Sequence, residues 1–470
     1  MLSFQHVLKA LLGHGVGELD FKLPEAFIDS RAMSEGGLFF ALRGERTDGH
    51  LYVDDAFAKG ASLAILDHPI ASAYPIVDLS AAEPQIPGTP PFSLLTDNSL
   101  LALQKLAAYW RNQFDIKVIG ITGSVGKSST KELTANVLSK RLVTLKNPGN
   151  LNNEIGMPLS LLKLTQEHEV AVLEMGFYVP GEIKLLCEIA RPQIGIVTNI
   201  GTVHAERAGS IEAIAEGKSE LVQALPPAPE GVAILNYDDE RVLAMAAKTS
   251  ARVFTYGLCP QADLWADEIE SMGLEGIRCH IHYKDEEFYV TAPLIGRHSV
   301  YTMLRSAAAA LSLGFSWDWI FYALKTSNLQ LRIATTKTAS GALLIDDTYN
   351  ASPESTLAAL NLLDDLTGRK VAVLGDMLEL GQYEEDGHQR VGIRAAQVAE
   401  EIVLVGQRSL QTQAAALESG FSADKIHWFA DQNSAALYLQ ETLKEKDIAL
   451  IKGSHAIRMD LIVASLEVIS

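Results

Sequence analysis

A chain of 470 residues is too long for one hydrophobic core, which stops growing at roughly 250–300 residues, so two or three domains are expected. Its 48% hydrophobic and 21% charged residues are those of an ordinary globular protein. The formal net charge of −19 argues against nucleic acid as a partner, because that binding rests on Lys and Arg neutralising phosphates; an anionic ligand must be held by local positive groups.

The cysteines, Cys187, Cys259 and Cys279, are few, odd in number and without CxxC spacing, which fits a reducing compartment and excludes a thiolate metal site. MLSFQHVLKALLGHG lacks a basic region followed by a long apolar run, so no export signal is read. No apolar run approaches the roughly 20 residues that span a bilayer. The expectation is a cytoplasmic protein without membrane insertion.

Residues 1–95 mix short strands and helices. They close on AAEPQIPGTPPF, whose Pro84, Pro87, Pro90 and Pro91 cannot sit inside regular elements, so a surface loop near a domain boundary is expected there. Residues 96–328 begin with a helical pattern, SLLALQKLAAYW, and a buried strand, IKVIGIT. EVAVLEM and QIGIVTNI follow as strands, each preceded by a helical segment, which implies a parallel, doubly wound sheet. Around 275–295 the texture changes: IRCHIHYKDEEFYVTAPL alternates as an antiparallel hairpin would, an appendage to that sheet. Residues 329–470 alternate again, through ALLIDD, ESTLAALNLLDDL, KVAVLGD, EIVLVG and IALIKG, and read as a second, smaller α/β domain.

GITGSVGKSSTKE, Gly120 to Glu132, departs from the usual phosphate-loop spelling, which wants glycine where Ile121 stands. Its context nonetheless fits: a buried strand, glycines, then the helical SSTKELTANVL. Glycines let backbone N–H groups turn towards a phosphate, and the helix N-terminus adds its positive end. Lys127 would reach the β/γ-phosphates of a nucleotide triphosphate and the Ser128 hydroxyl would join Mg²⁺.

Glu174 ends the strand VAVLE, at the edge where open α/β sheets bind ligands, and offers hard oxygen ligands to Mg²⁺. The next strand delivers Asn199 and then His204; a lone histidine is as often structural as functional. Lys218 lies on the apolar stripe of Ile211, Ile214, Ala215, Leu221 and Val222. Either it snorkels past its neighbours to water, or its amine is used.

TGSVGKSSTKE, NPGNLNNEIGMPLSLL, EMG with PGEI, TNIGTVHAERAGS, AEGKSEL, LIDDTYNASP, LGDMLELG and KGSHAIRMD follow in order through the second and third blocks, with DSR, FFAL and DGH in the first. Together they resemble the Mur ligases over essentially the whole chain. The resemblance implies three domains: a small α/β N-terminal domain, a central P-loop domain on a doubly wound sheet, and a Rossmann-like C-terminal domain that closes over the site. It implies an ATP-dependent amide ligase, most similar to members that join D-alanyl-D-alanine to UDP-N-acetylmuramoyl-tripeptide through an acyl phosphate, working as a monomer.

Residue by residue, the resemblance places nucleotide roles on Thr122, Gly123, Ser124, Val125, Gly126, Lys127, Ser128 and Ser129, with Thr302. Arg332 and Asp347 would reach ATP on closure. Mg²⁺, two ions in all, falls to Ser128, Glu174, His204 and Lys218, the last as a carbamate formed with CO₂, which would explain a lysine on an apolar stripe. Substrate roles fall to Asp29, Ser30, Arg31, Asn150, Asn153, Asn350, Lys452 and Ser454. Ser299, Thr302 and Ser352 stand where the family usually has asparagine; these changes read as tuning of adenine contacts, with a catalytically weakened or repurposed paralogue as the alternative. A relative extending another peptide or folate, a P-loop kinase and a nucleotide-binding regulator are the competing readings; the DDTYNASP and GDMLELG pair, the extra domains, and the presence of Lys127, Glu174 and Lys218 speak against them in turn.

Overall fold

The structure, a computed structural model, describes residues 1–44, 47–326 and 334–467. It divides into two compact units, residues 1–120, 141–176 and 182–193 in the first, residues 121–140, 177–181 and 194–470 in the second. The chain passes from one to the other inside the strand Lys117–Thr122.

The first unit opens with the helix Phe4–Leu12, started by a Ser3 capping box and ended by Gly13 at φ +82°, the left-handed stop that glycine makes without strain. It buries Phe4, Val7 and Leu8, the i, i+3, i+4 stripe of a half-buried helix. A five-stranded, all-parallel sheet follows, in the order Ala26–Phe27, Leu38–Phe40, Leu63–Leu66, Phe92–Leu95, Ile76–Asp78. The proline-rich stretch is a loop, as expected, but Phe92 already begins a strand. The loop therefore joins two neighbouring strands of one sheet. The unit also holds the parallel pair Thr144–Lys146 and Val170–Glu174, and the helices Ser99–Arg111, Gly156–Leu161 and Glu182–Ala190.

In the second unit, Ile194–Val197, Val232–Asn236, Arg252–Gly257 and Leu264–Ser271 run parallel as successive neighbours. Ile277–Tyr283 and Glu286–Ala292 then continue the sheet edge antiparallel, joined by a two-residue turn with Lys284 at φ +55°, the positive φ that tight hairpins need. The alternating texture of the sequence is this hairpin.

A separate six-stranded sheet completes the unit, in the order Ala334–Lys337, Leu343–Asp347, Asp447–Lys452, Arg369–Gly375, Glu401–Val405, Ile426–Phe429, antiparallel only at its first pair. Its core strands bury both faces. Ala372, Leu374, Ile402, Leu404 and Leu450 pack with Leu360, Leu363, Val391 and Ala395. Val371, Val373, Val403, Ala449 and Ile451 pack on the other side with Ala435, Leu439, Ile462 and Val463. Strand residues alternate between faces, so two helical layers demand apolar residues at every position. Each fully buried Val, Leu or Ile contributes about 1.5–3 kcal/mol. Among the described residues no helix is long and apolar enough to cross a membrane.

Candidate functional site

The turn after the strand Lys117–Thr122 occurs at Gly123, φ +139°, not at the fully buried Ile121. That explains the unusual spelling: the glycine is placed where the backbone bends. A Cβ on Gly123 would lie 1.8 Å from Thr198 Oγ1, so no other residue fits. Gly126, at φ +84°, caps the helix Lys127–Ser139. The loop is strapped to the neighbouring strand end. Asn199 Oδ1 accepts from Val125 N at 2.9 Å, Asn199 Nδ2 and Thr198 Oγ1 donate to Val125 O at 3.2 and 2.7 Å, and Ser124 Oγ accepts from Gly201 N at 2.8 Å. Asn199, noted in the sequence for its strand end, is thus a buttress of the loop.

Three cations converge here. Lys127 Nζ donates to Gly123 O at 2.7 Å and to Ser124 O at 3.2 Å. Lys218 Nζ donates to the same Gly123 O at 3.1 Å and lies 4.6 Å above the Phe177 ring, a cation–π contact. Gly217 leaves room for that ring, since a Cβ there would come within 2.0 Å of Phe177 Cε2. Lys218 is 0% exposed, which rules out snorkelling to water. Arg305, 3% exposed, donates to Thr302 Oγ1 at 2.9 Å, and a Cβ on Gly126 would lie 3.0 Å from its guanidinium. In a chain of net charge −19, this is the local positive ground that an anionic phosphate chain requires. Sequence reading passed over Arg305; a lone arginine inside the apolar helix SVYTMLRSAAAA was the available signal.

His204 sits at φ +67° before the short helix Ala205–Ala208. Its Nδ1 lies 2.7 Å from Glu379 Oε2, and Tyr178 meets its ring edge-on at 4.7 Å. Burial, with Lys127, Lys218 and Arg207 nearby, lowers its pKa to about 3. The imidazole is therefore neutral near pH 7. A carboxylate only accepts, so Nδ1–H donates to Glu379 and the Nε2 lone pair is left for an electrophile. Around this pair the backbone is matched: Glu206 N donates to Glu379 O at 3.2 Å, and Gln382 Nε2 to Gly209 O at 3.4 Å. Glu379 was missed as a site residue, although its motif LGDMLELG was noted.

In the six-stranded sheet, Asp347 and Lys452 end adjacent parallel strands in register, the edge where such sheets hold ligands. Lys452 Nζ donates to Asp347 Oδ2 at 2.6 Å and to Asn350 O at 2.8 Å. Ser454 Oγ accepts from Leu378 N at 2.9 Å, tying this strand end to the segment that carries Glu379. Arg332 lies outside the described residues. The two serine positions serve their own backbone: Ser299 Oγ donates to Gly296 O at 2.7 Å, and Ser352 caps the helix Pro353–Asp365, a role in which serine equals asparagine; Thr302 instead accepts from Arg305.

Glu174, Asn150, Asn153, Asp29, Ser30 and Arg31 belong to the first unit. Glu174 is 3% exposed at its strand end. Of the asparagines in NPGNLNNE, it is Asn147 and Asn152 that meet it. Asn147 accepts from Glu174 N at 2.9 Å and donates to Glu174 O at 3.0 Å; Asn152 Nδ2 donates to Glu174 Oε1 at 2.8 Å. Asn153 instead accepts from Gly156 N at 2.9 Å, and Asn150 is exposed. Arg31 folds back on Asp29 through paired hydrogen bonds of 2.9 and 2.7 Å, which hold that carboxyl down at about 2. Ser30 Oγ donates to Asp55 at 2.6 Å. The DGH motif is structural: His50 is buried, bonding Asp48 Oδ1 at 2.6 Å through Nδ1 and accepting from Asp67 N at 3.0 Å through Nε2.

Three family models match the chain: "Mur ligase family, catalytic domain" at residues 26–110, "Mur ligase middle domain" at 121–310 and "Mur ligase, glutamate ligase domain" at 331–455. The UDP-N-acetylmuramoyl-tripeptide--D-alanyl-D-alanine ligase of Synechocystis sp. is 35% identical over 95% of this chain and 92% of its own length. A crystal structure of MurF from Acinetobacter baumannii matches with a TM-score of 0.84 and 33% identity, covering 98% of both chains. MurF ligase from Thermotoga maritima, solved in complex with ADP, matches with a TM-score of 0.79 and 27% identity, covering 94% of this chain and 96% of that one.

Proposed function

The chain belongs to the Mur ligase family, and on that premise we propose that it joins D-alanyl-D-alanine to UDP-N-acetylmuramoyl-tripeptide, at the expense of ATP, in peptidoglycan precursor synthesis. The observation that carries this is the agreement along the whole length with proteins of that name, at 35% identity over 95% of the chain, together with a complete cationic phosphate loop. In this reading residues 1–95 hold the UDP end of the precursor, 96–328 hold ATP, and 329–470 position the dipeptide.

The chemistry needs a carboxylate to attack a γ-phosphoryl group, two anions that repel. Lys127 and Arg305 flank the loop with positive charge aimed where charge develops, usually the largest single source of rate enhancement. ADP leaves as the acyl phosphate forms; the dipeptide amine, once its ammonium has given up a proton, attacks the acyl carbon, and phosphate leaves as the amide forms. Water must be kept out meanwhile, which suits a site bordered by the Glu379 segment.

Mg²⁺ would add charge neutralisation on the phosphoryl oxygens. The Ser128 hydroxyl and the Glu174 carboxylate are the hard oxygen donors it prefers. An ammonium has no lone pair to offer, so Lys218 suits a second ion only as its carbamate, which converts a cation into an oxygen donor; His204 Nε2 would complete that set. Glu379 fixes the His204 ring, and Asn147 and Asn152 fix Glu174. We read the protein as a cytoplasmic monomer.

Substrate omission tests the proposal. ADP release should require both the muramoyl tripeptide and the D,D-dipeptide, and phosphate should appear in step with a new amide. ADP release with a hydroxyl acceptor alone would overturn it in favour of a kinase.

A further inference from the structure

The solvent face of the antiparallel hairpin is not an ordinary polar surface. Ile277, Cys279 and Ile281 turn inward, and His280 and His282 stand side by side on the opposite face of the same strand. Asp267 lies directly across from His280 on the neighbouring strand. Its Oδ1 is 3.3 Å from His280 Nδ1 and 3.0 Å from His282 Nε2, and the donor atoms of all three residues lie within 4.8 Å of one another.

Both imidazoles are held by aromatic plates. Trp265 stacks on His282 at 3.7 Å and 5°, and Tyr289 stacks on His280 at 4.2 Å and 5°. Tyr289 is itself anchored, donating from its hydroxyl to Glu268 at 2.9 Å. Glu268 reaches it from a bulge at φ +45°, where the register of the two strands shifts. Such bulges re-aim side chains. Glu287 stands 3.8 Å from the far nitrogen of His280, the side from which carboxylates orient metal-bound histidines.

We infer that Asp267, His280 and His282 form a binding site for a divalent transition-metal ion, with Zn²⁺ as its reference occupant. Tetrahedral coordination at about 2.0–2.2 Å sets donor atoms roughly 3.4 Å apart, close to the 3.3 and 3.0 Å at which Asp267 Oδ1 meets the two imidazoles. Two imidazoles and one carboxylate select Zn²⁺, Ni²⁺ or Cu²⁺ over Mg²⁺, so the site stands apart from the chemistry of the phosphate loop and does not depend on the ligase reading. Three protein ligands leave a fourth position open to water. The bound ion would pin the bulged strand to the hairpin.

The other cluster of this kind among the described residues, Asp48, His50 and His68, is the weaker one. Both ring nitrogens of the buried His50 are engaged, one with Asp48 and one with the amide of Asp67, so it has no lone pair to give.

Untagged full-length protein, stripped with EDTA and kept in excess Mg²⁺, tests the site by Zn²⁺ titration against a chromophoric chelator. One equivalent should be retained, and Co²⁺ substitution should give the visible bands of a four-coordinate site. His280→Gln with His282→Gln should weaken Zn²⁺ binding at least tenfold. Asp267→Asn, at a half-exposed position, gives a second reading should the double variant fail to fold. No stoichiometric uptake by the parent would overturn the inference, as would uptake undiminished in these variants or abolished instead by His68→Gln.

Discussion

His204 Nδ1 and Glu379 Oε2 meet at 2.7 Å, and both residues hold left-handed backbone, at φ +67° and +64°. A non-glycine residue pays for such a conformation only when its surroundings over-determine it. Here two strained residues, one from the parallel sheet domain and one from the six-stranded sheet domain, brace each other.

Glu379→Ala should therefore lower kcat by roughly 10–100-fold, the usual loss on removing a residue that orients a metal-binding histidine. Glu379→Gln keeps an acceptor for Nδ1–H and should recover part of that loss. Steady-state kinetics decide; an Ala variant at parental rate would show the contact to be incidental.

The His204 environment also has a pH signature. Unfolded, the imidazole takes its proton as pH falls through its ordinary value of 6.5; folded, it is held at about 3 and stays neutral. Protons thus favour the unfolded chain between those values, and the penalty grows as pH falls from 6.5 towards 3; above 6.5 the two states match and the term vanishes. Denaturant unfolding at pH 7.5, 6 and 5 should show His204→Gln losing less stability on acidification than the parent. Parallel curves would contradict this.

Lys218→Ala should abolish turnover, with partial return on adding short carboxylates that replace a carbamate's oxygens. Carbon-13 labelled CO₂ should also give a carbamate NMR signal in the parent and none in the variant. Full activity of the variant would remove the proposed metal role.

Gly123→Ala places a methyl 1.8 Å from Thr198 Oγ1 at φ +139°, a backbone region closed to alanine. Nucleotide affinity, measured by calorimetry with ADP, should fall at least tenfold while the remainder of the fold persists by circular dichroism. Unchanged binding would mean the loop turns elsewhere.

Much of this was legible in the chain. Strand–helix alternation and the textural change near residue 275 reflect local periodicity, and both appear as a parallel sheet with an antiparallel edge. The stripe singled out Lys218 but left open whether it reaches water or is used; the structure buries it. Its convergence with Lys127 on the Gly123 carbonyl was not legible, because no local pattern reports contacts between residues so far apart in sequence. Glu379 escaped for the same reason, and the preference of Glu174 for Asn147 and Asn152 depends on how one loop folds back. Ser299 and Ser352, weighed as changes at a binding surface, turn out to satisfy backbone groups beside them.

The six-stranded sheet carries a further consequence in its order. Its middle strand, Asp447–Lys452, lies between Leu343–Asp347 and Arg369–Gly375, yet it follows the other five strands of that sheet in the chain. A nascent chain halted before it would expose two unpaired inner edges, a template for aggregation. The sheet can therefore close only after Asp447–Lys452 has been made, and a truncation ahead of Asp447 would remove a central element of it.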